Sequence, residues 1–515
     1  MTTLVRGSSG TLTRDALTVL QPGFVGTTAP DWLLRQIGEG LSAVGLFGRN
    51  ITSPDQLTAL TSQLRAERDD VLVAIDEEGG DVTRLEVQGG SSFPGNYALG
   101  SVDDVDLTRA VARELGRRLA ECGVDLNWAP SADVNSNPDN PVIGVRSFGA
   151  DTALAARHTV AYVEGLQSAG VAACAKHFPG HGDTSVDSHH ALPRIDVDLD
   201  TLHARELVPF REAMAAGSKA VMSAHILLPA LDPDRPATLS PQILTGLLRQ
   251  ELGYQGLIVT DGMEMQAISS TYGIERGSVL AIAAGADAIC VGGGLADEET
   301  VLRLRDALVS AVRSGDLPEE RLADAAARVR ALADWTRRAR GAAAKPGAAS
   351  QEGTAPGSDA EIGLVAARRA VRVTPGQLPY EPVTEAPYVA AFTPVANIAV
   401  GDETPWGVAA ELAALLPGTG TDTYADGAST PALVANVLEA AANRRIVAVV
   451  RDVHRHPWMA NALEALLAAR PETVVVEMGL NRAAPMGAVH IATHGAARVC
   501  GRAAAEVITG RGAGT

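Results

Sequence analysis

Eight short apolar runs, spread over the first 300 residues and separated by stretches of helical periodicity, restrict the fold of this chain more than any other feature. They are TVLQPGFVG (18–26), SAVGLFG (42–48), VLVAID (71–76), GVDLNWA (123–129), GVAACAKH (170–177), KAVMSAH (219–225), GLIVTD (256–261) and ADAICVG (286–292). Short runs rich in Val, Ile and Leu between helical patterns read as parallel strands with crossover helices. Eight such units in this length predict a (β/α)8 TIM-type barrel. A doubly wound sheet is the rival, but its domain would more often end after fewer strands.

The segment RARGAAAKPGAASQEGTAPGSD (338–359) is dense in Ala, Gly, Pro and Ser and reads as an exposed linker. Beyond it PYVAAF, RRIVAVVRD, ETVVVEMG and VHIAT alternate with helical stretches, which predicts a smaller α/β sandwich. The expected layout is a catalytic barrel over 1–337, a linker and connecting helix over 338–375, and an α/β C-terminal domain over 376–515.

With 43 Lys and Arg against 61 Asp and Glu, the net charge of −18 repels phosphate backbones and anionic membrane surfaces. Neither nucleic acid nor membrane is an expected partner. MTTLVRGSSGTLTRDALTVL lacks the apolar core of a signal peptide, so a cytoplasmic location is expected. Cys122, Cys174, Cys290 and Cys500 lie far apart with no metal-type spacing, and read as buried free thiols.

If the runs are barrel strands, polar groups should gather at their C-terminal ends, where barrel active sites form. The third run ends in Asp76 and EEGGDVTR; the fourth leads to NWAPSADVN and to VIGVRSFG, which carries Arg146. The fifth ends in Lys176 and His177, the sixth in Ser223 and His225, the seventh in Asp261. A single Asp or Ser in such a place commonly caps the following helix. Five strand ends so equipped point instead to one shared mouth.

The stretch KHFPGHGDTSVDSHHALP (176–193) holds His177, His181, His189 and His190, four of the chain's eleven histidines. Metal binding would use these with Asp183 and Asp187, but a single Gly-rich loop matches neither the helical HExxH spacing nor a zinc knuckle, and no metal is expected. His181 and His190 read as loop-packing groups bonded to nearby backbone. Asp187 and His189, two residues apart, can face one another, the carboxylate fixing the imidazole tautomer and supporting its cation. Such a pair can act as general acid and base near neutral pH. Asp261 is the candidate partner: a carboxylate at a strand end that can attack an anomeric carbon.

AIDEEGG, VIGVRSFG, KHFPGHGDTSVDSHHALP, VMSAHI and VTDGMEM, in this order, resemble glycoside hydrolase family 3, specifically its β-N-acetylglucosaminidase branch, over roughly residues 15 to 335. The histidine loop is the diagnostic part. The resemblance implies a retaining mechanism with Asp261 as nucleophile and His189, paired with Asp187, as acid and base. It further implies that Asp76, Arg84, Arg146, Lys176 and His177 hold the hydroxyls of the terminal sugar. No cofactor is implied. Two positions depart from the family pattern: Asp81 stands in EGGDVTR where an arginine is usual, and Gly262-Met263 follows the nucleophile position.

The expected function is removal of terminal β-linked GlcNAc from small glycans such as muropeptides or chitin fragments, the partner being that glycan. The alternatives are phosphorolysis of the same bond or β-glucosidase action, and a catalytically silent sugar-binding barrel. The sequence leaves the oligomeric state open.

Overall fold

A computed structural model describes residues 9–189, 191–343, 361–394, 400 and 404–511. The chain divides into two compact units. The first comprises residues 1–77, 108–141 and 150–355; the second comprises 78–107, 142–149 and 356–515.

All eight expected strands are present in the first unit: β1 (Leu20–Pro22), β2 (Ala43–Leu46), β3 (Leu72–Ile75), β4 (Leu126–Asn127), β5 (Ala172–Phe178), β6 (Ala220–Ser223), β7 (Leu257–Thr260) and β8 (Ile289–Val291). Strands β2 to β7 form one parallel sheet in sequence order, and β8 pairs parallel with β1. A bridge between Val259 and Ala288 joins β7 to β8. At the remaining seam β1 lies alongside β2. There Asn50, just past β2, donates to the Phe24 and Gly26 carbonyls at 3.0 and 2.8 Å.

Every residue of these strands is buried, as a parallel sheet covered on both faces requires. Alternate positions build one core: Leu72 and Ala74, Ala172 and Cys174, Ala220 and Met222, Leu257 and Val259 pack with Trp128 and Cys290. Val329, Leu332 and Ala333 of the helix Glu319–Ala343 close this core. The ladder between β5 and β6 shifts between Ala175 and Phe178, and this irregularity takes in Lys176 and His177.

The second unit carries a six-stranded sheet in the order β11-β10-β12-β13-β14-β9. Its strands are β9 (Arg372–Pro375), β10 (Tyr388–Phe392), β11 (Gly420–Tyr424), β12 (Ile446–Val450), β13 (Val474–Glu477) and β14 (Val489–Ala492), and only β9 runs antiparallel to its neighbour. Alternation sends Val389, Val447, Val449, Val474 and Val476 into one core, with Leu412 and Ile508 from helices. The other face buries Tyr388, Ala390, Ile446, Ala448 and Val475 against Leu433, Met459 and Leu463. A layer of helix on each face makes the expected sandwich.

Two of its strands are absent from the sequence reading. RVTP of β9 is exposed throughout and GTDTY of β11 largely so, because both are edge strands whose pairing is backbone-driven and leaves no apolar pattern. The second unit also takes in residues 78–107 and 142–149. Gly363 fits there because a Cβ would sit 2.0 Å from the Ser92 carbonyl oxygen.

Asp81, the departure from the family pattern, is buried in this unit. It accepts a bond from the Ala496 backbone N–H at 2.7 Å and pairs with the Arg451 guanidinium. The reversed charge thus has a partner 370 residues away, which no local reading could supply. All four cysteines are free and buried. Among the described residues no helix is long and apolar enough to cross a membrane.

Candidate active site

Residues at or beyond the C-terminal ends of β3 to β7 supply the polar groups of the candidate site. Asp76 follows β3 and pairs with the Lys176 ammonium, which is almost fully buried. Asp133, past β4, is a buried hub: one oxygen accepts from the His177 and His181 backbone N–H groups at 3.2 and 2.7 Å, the other from His177 Nδ1 at 2.7 Å and Ser131 Oγ at 3.0 Å. Burial pushes the Asp133 carboxyl up, but the charge and hydrogen bond of His177, with His181 beyond, outweigh it and hold the group below its ordinary value.

Asp261 follows β7, its backbone N–H donating to the Ser223 carbonyl at 3.2 Å. Its Oδ1 accepts from the Gly262 N–H at 2.8 Å. Burial again pushes upward, and the fields of His225, His177 and His189 together with that N–H overcome it, keeping the carboxyl well below the usual range. The side chain therefore stays anionic. His225 reaches the Gly262 carbonyl through Nε2 at 2.9 Å and Thr238 Oγ1 through Nδ1 at 2.9 Å. A carbonyl only accepts, so Nε2 carries a proton; burial lowers the His225 pKa. Ser223 Oγ extends this chain to Thr238 at 2.9 Å.

Between β5 and the helix that begins at Leu199 runs the histidine loop. Its base is built against the segment after β4: a Cβ at Gly182 would lie 1.7 Å from the Val134 carbonyl oxygen, so the close approach requires glycine. Asn140 Nδ2 donates to the His181 and Gly182 carbonyls at 2.9 and 3.0 Å. Further on, Asp187 Oδ1 accepts from the His189 backbone N–H at 2.9 Å and from His189 Nδ1 at 2.7 Å. A carboxylate can only accept, so Nδ1 carries a proton and Nε2 is left to exchange one. The His189 side chain keeps 25% of its surface accessible, whereas His177 keeps 7%. The Ser188 carbonyl accepts from the Ala267 N–H at 3.4 Å, which ties this part of the loop to the segment after β7.

Of the sequence-predicted residues, the structure thus pairs Asp76 with Lys176 and Asp187 with His189, and sets Asp261 in the field of His177 and His189. Arg84 and Arg146 belong to the second unit. Arg84 is half-buried; Arg146 is buried and bound to Glu78, its Nη2 donating at 2.6 Å and its Nε at 3.0 Å. His190 lies outside the described residues. Among the described residues no group of three or more His, Cys, Asp or Glu side chains is arranged to hold a metal ion.

Sequence reasoning did not single out Asp133, Thr238 or Glu78. Asp133 stands in the quoted NWAPSADVN, where a carboxylate after a strand was a signal; Thr238 carries none, since a lone threonine in a short helical turn is ordinary.

Comparison with known proteins gives a consistent result. A family model, the glycosyl hydrolase family 3 N terminal domain, matches residues 31–332. A β-hexosaminidase A of Pseudoalteromonas piscicida is 36% identical over 332 residues, which are 59% of this chain and 55% of that protein. The chain thus spans about half the length of this relative. A β-hexosaminidase of Neisseria meningitidis serogroup C is 36% identical over 50% of this chain and 73% of its own. Among solved structures, a glycoside hydrolase family 3 β-N-acetylglucosaminidase from a Paenibacillus species superposes with a TM-score of 0.83 at 35% identity, covering 97% of both chains.

Proposed function

The chain belongs to glycoside hydrolase family 3, and on that footing we propose that it is a retaining, exo-acting β-N-acetylglucosaminidase that hydrolyses terminal β-linked GlcNAc from small glycans. The observation that carries this reading is that two carboxylates share His189, one lying in its field and the other hydrogen-bonded to its Nδ1. Asp261 is held anionic among His225, His177 and His189, while Asp187 is spent on orienting His189. A carboxylate held ionised and an imidazole oriented by a second carboxylate divide naturally into nucleophile and acid.

In the first step an Asp261 oxygen attacks the anomeric carbon as the glycosidic carbon–oxygen bond breaks, and the imidazolium of His189 gives its Nε2 proton to the departing oxygen. The Asp187 carboxylate supports the cation before transfer and holds the ring in place after it. In the second step Nε2 takes a proton from water, whose oxygen attacks the anomeric carbon and releases Asp261 as a carboxylate. General acid catalysis of this kind contributes about 10² to 10⁴ in rate. Asp76, Lys176 and His177 hold the sugar hydroxyls at the barrel strand ends; for Arg84 and Arg146 a part in sugar binding rests on the family resemblance alone. The natural substrates on this reading are muropeptides from peptidoglycan turnover or chitin fragments, handled in the cytoplasm; cell fractionation followed by assay tests the location.

The decisive experiment compares Asp261→Ala and His189→Ala on aryl β-N-acetylglucosaminides with poor and activated leaving groups. Asp261→Ala should lose nearly all turnover on both. His189→Ala should lose about 10² or more on the poor leaving group and far less in glycosylation of the activated one, which needs no proton. Equal activity of His189→Ala and the parent on poor leaving groups would remove His189 from the mechanism. Running the parent with and without inorganic phosphate, and looking for GlcNAc 1-phosphate, separates hydrolysis from phosphorolysis.

A further inference from the structure

We propose that His181 is a positioning residue, a neutral imidazole strut that carries the order of the rigid loop base to Ser188 and through it sets the Asp187 and His189 pair; this rests on the acid–base role given to that pair above. His181 is buried, and its backbone is held at both ends: the N–H by Asp133 at 2.7 Å, the carbonyl by Asn140 at 2.9 Å. Its ring spans the loop, with Nδ1 3.1 Å from Thr184 Oγ1 and Nε2 3.2 Å from Ser188 Oγ.

Proton counting assigns the roles. The Thr184 hydroxyl donates to the His181 carbonyl at 3.3 Å, so its oxygen is left to accept from the ring at Nδ1. Burial lowers this ring's pKa to about 4, so the ring is neutral with its one proton on Nδ1, and the bare Nε2 accepts the Ser188 hydroxyl proton. Ser188, itself buried, stands between the two members of the pair in sequence. Fixing its side chain on the ring, and its carbonyl on the Ala267 N–H, restricts the backbone turn that lets Asp187 Oδ1 meet both the N–H and the Nδ1 of His189. A misplacement of reacting groups by about 1 Å costs on the order of 10²-fold in rate.

The test uses the full chain and four variants: His181→Ala, His181→Gln, Ser188→Ala and the double variant His181→Ala/Ser188→Ala, with His189→Ala as reference. A strut acting through His189 predicts a loss of about 10- to 100-fold in kcat on a poor leaving group. It predicts a much smaller loss on an activated one when azide, which needs no base, is supplied to turn over the intermediate. His181→Gln, whose amide offers one donor end and one acceptor end, should recover part of the loss. The double variant should be no worse than the more damaged single one, as two changes to one hydrogen bond require.

Equal losses on both leaving groups, or additive losses in the double variant, would overturn the strut and leave His181 a packing residue. Where His181→Ala fails to fold, Ser188→Ala and His181→Gln carry the same comparison. If His189→Ala shows the leaving-group pattern and the strut variants do not, only this inference falls. If His189→Ala lacks the pattern, the acid–base assignment falls first.

Discussion

Two Asp–His pairs in the first unit share one geometry. Asp133 meets His177 Nδ1 at 2.7 Å, and Asp187 meets His189 Nδ1 at the same 2.7 Å. Their settings differ. The Asp133 pair is shut into the strand ends, with Asp133 also bound by two backbone N–H groups and Ser131. The Asp187 pair sits on a loop with a quarter of the His189 side chain accessible. A proton carrier must reach both substrate and solvent, whereas the buried Asp133 carboxylate, bonded on every side, fixes the His177 ring in place. The hydrogen bond alone therefore does not single out the acid proposed above; accessibility is what favours His189 for that role.

That contrast can be broken by making the same change in both pairs. Asp187→Asn should reduce kcat on poor leaving groups by about 10² to 10⁴ while leaving thermal unfolding nearly unchanged. Steady-state kinetics with a melting curve checks both halves. Asp133→Asn should do the reverse in emphasis: replacing a buried charge that serves four donors should cost about 3 to 5 kcal/mol of stability, read from denaturant unfolding. If Asp133→Asn were stable and selectively lost activity on poor leaving groups, the division between structural and catalytic pair would fail.

A smaller effect follows from the ring that links the two regions. Burial first, and the neighbouring His177 second, lower His181 from an ordinary value near 6.5 to about 4. Between those values the unfolded chain binds a proton that the folded ring refuses, so stability rises with pH across the window and is lost as pH falls through it. The full effect is about 3 kcal/mol, reached near pH 4. His181→Gln should accordingly show a shallower fall in unfolding free energy between pH 6.5 and 4 than the parent chain. Parallel curves for the two would mean that the ring does not titrate as placed.

The elements with strong periodicity were legible in advance. The eight barrel runs and the four inner strands of the second sheet all appear, because strands covered on both faces must be apolar along their length. Edge strands β9 and β11 were not, since their residues are largely exposed and carry no apolar pattern. At the site, Asp187 and His189 were legible because two residues in an extended loop can meet without help from the rest of the fold. Asp133 was not, though it lies within a quoted motif, because its four donors come from segments 44 and 48 residues away as well as from its own turn.

Residue types, spacing and apolar period thus determined the strands, the loop and the paired groups on it, all of which depend on neighbours within a few positions. Only the folded chain decided which polar groups would be buried and by what they would be held. Arg451 answers Asp81 across 370 residues, Glu78 holds Arg146, and the fields of His225, His177 and His189 hold the Asp261 carboxyl down. Charge, hydrogen bonding and solvent access are properties of distance in space, and it is folding that sets that distance.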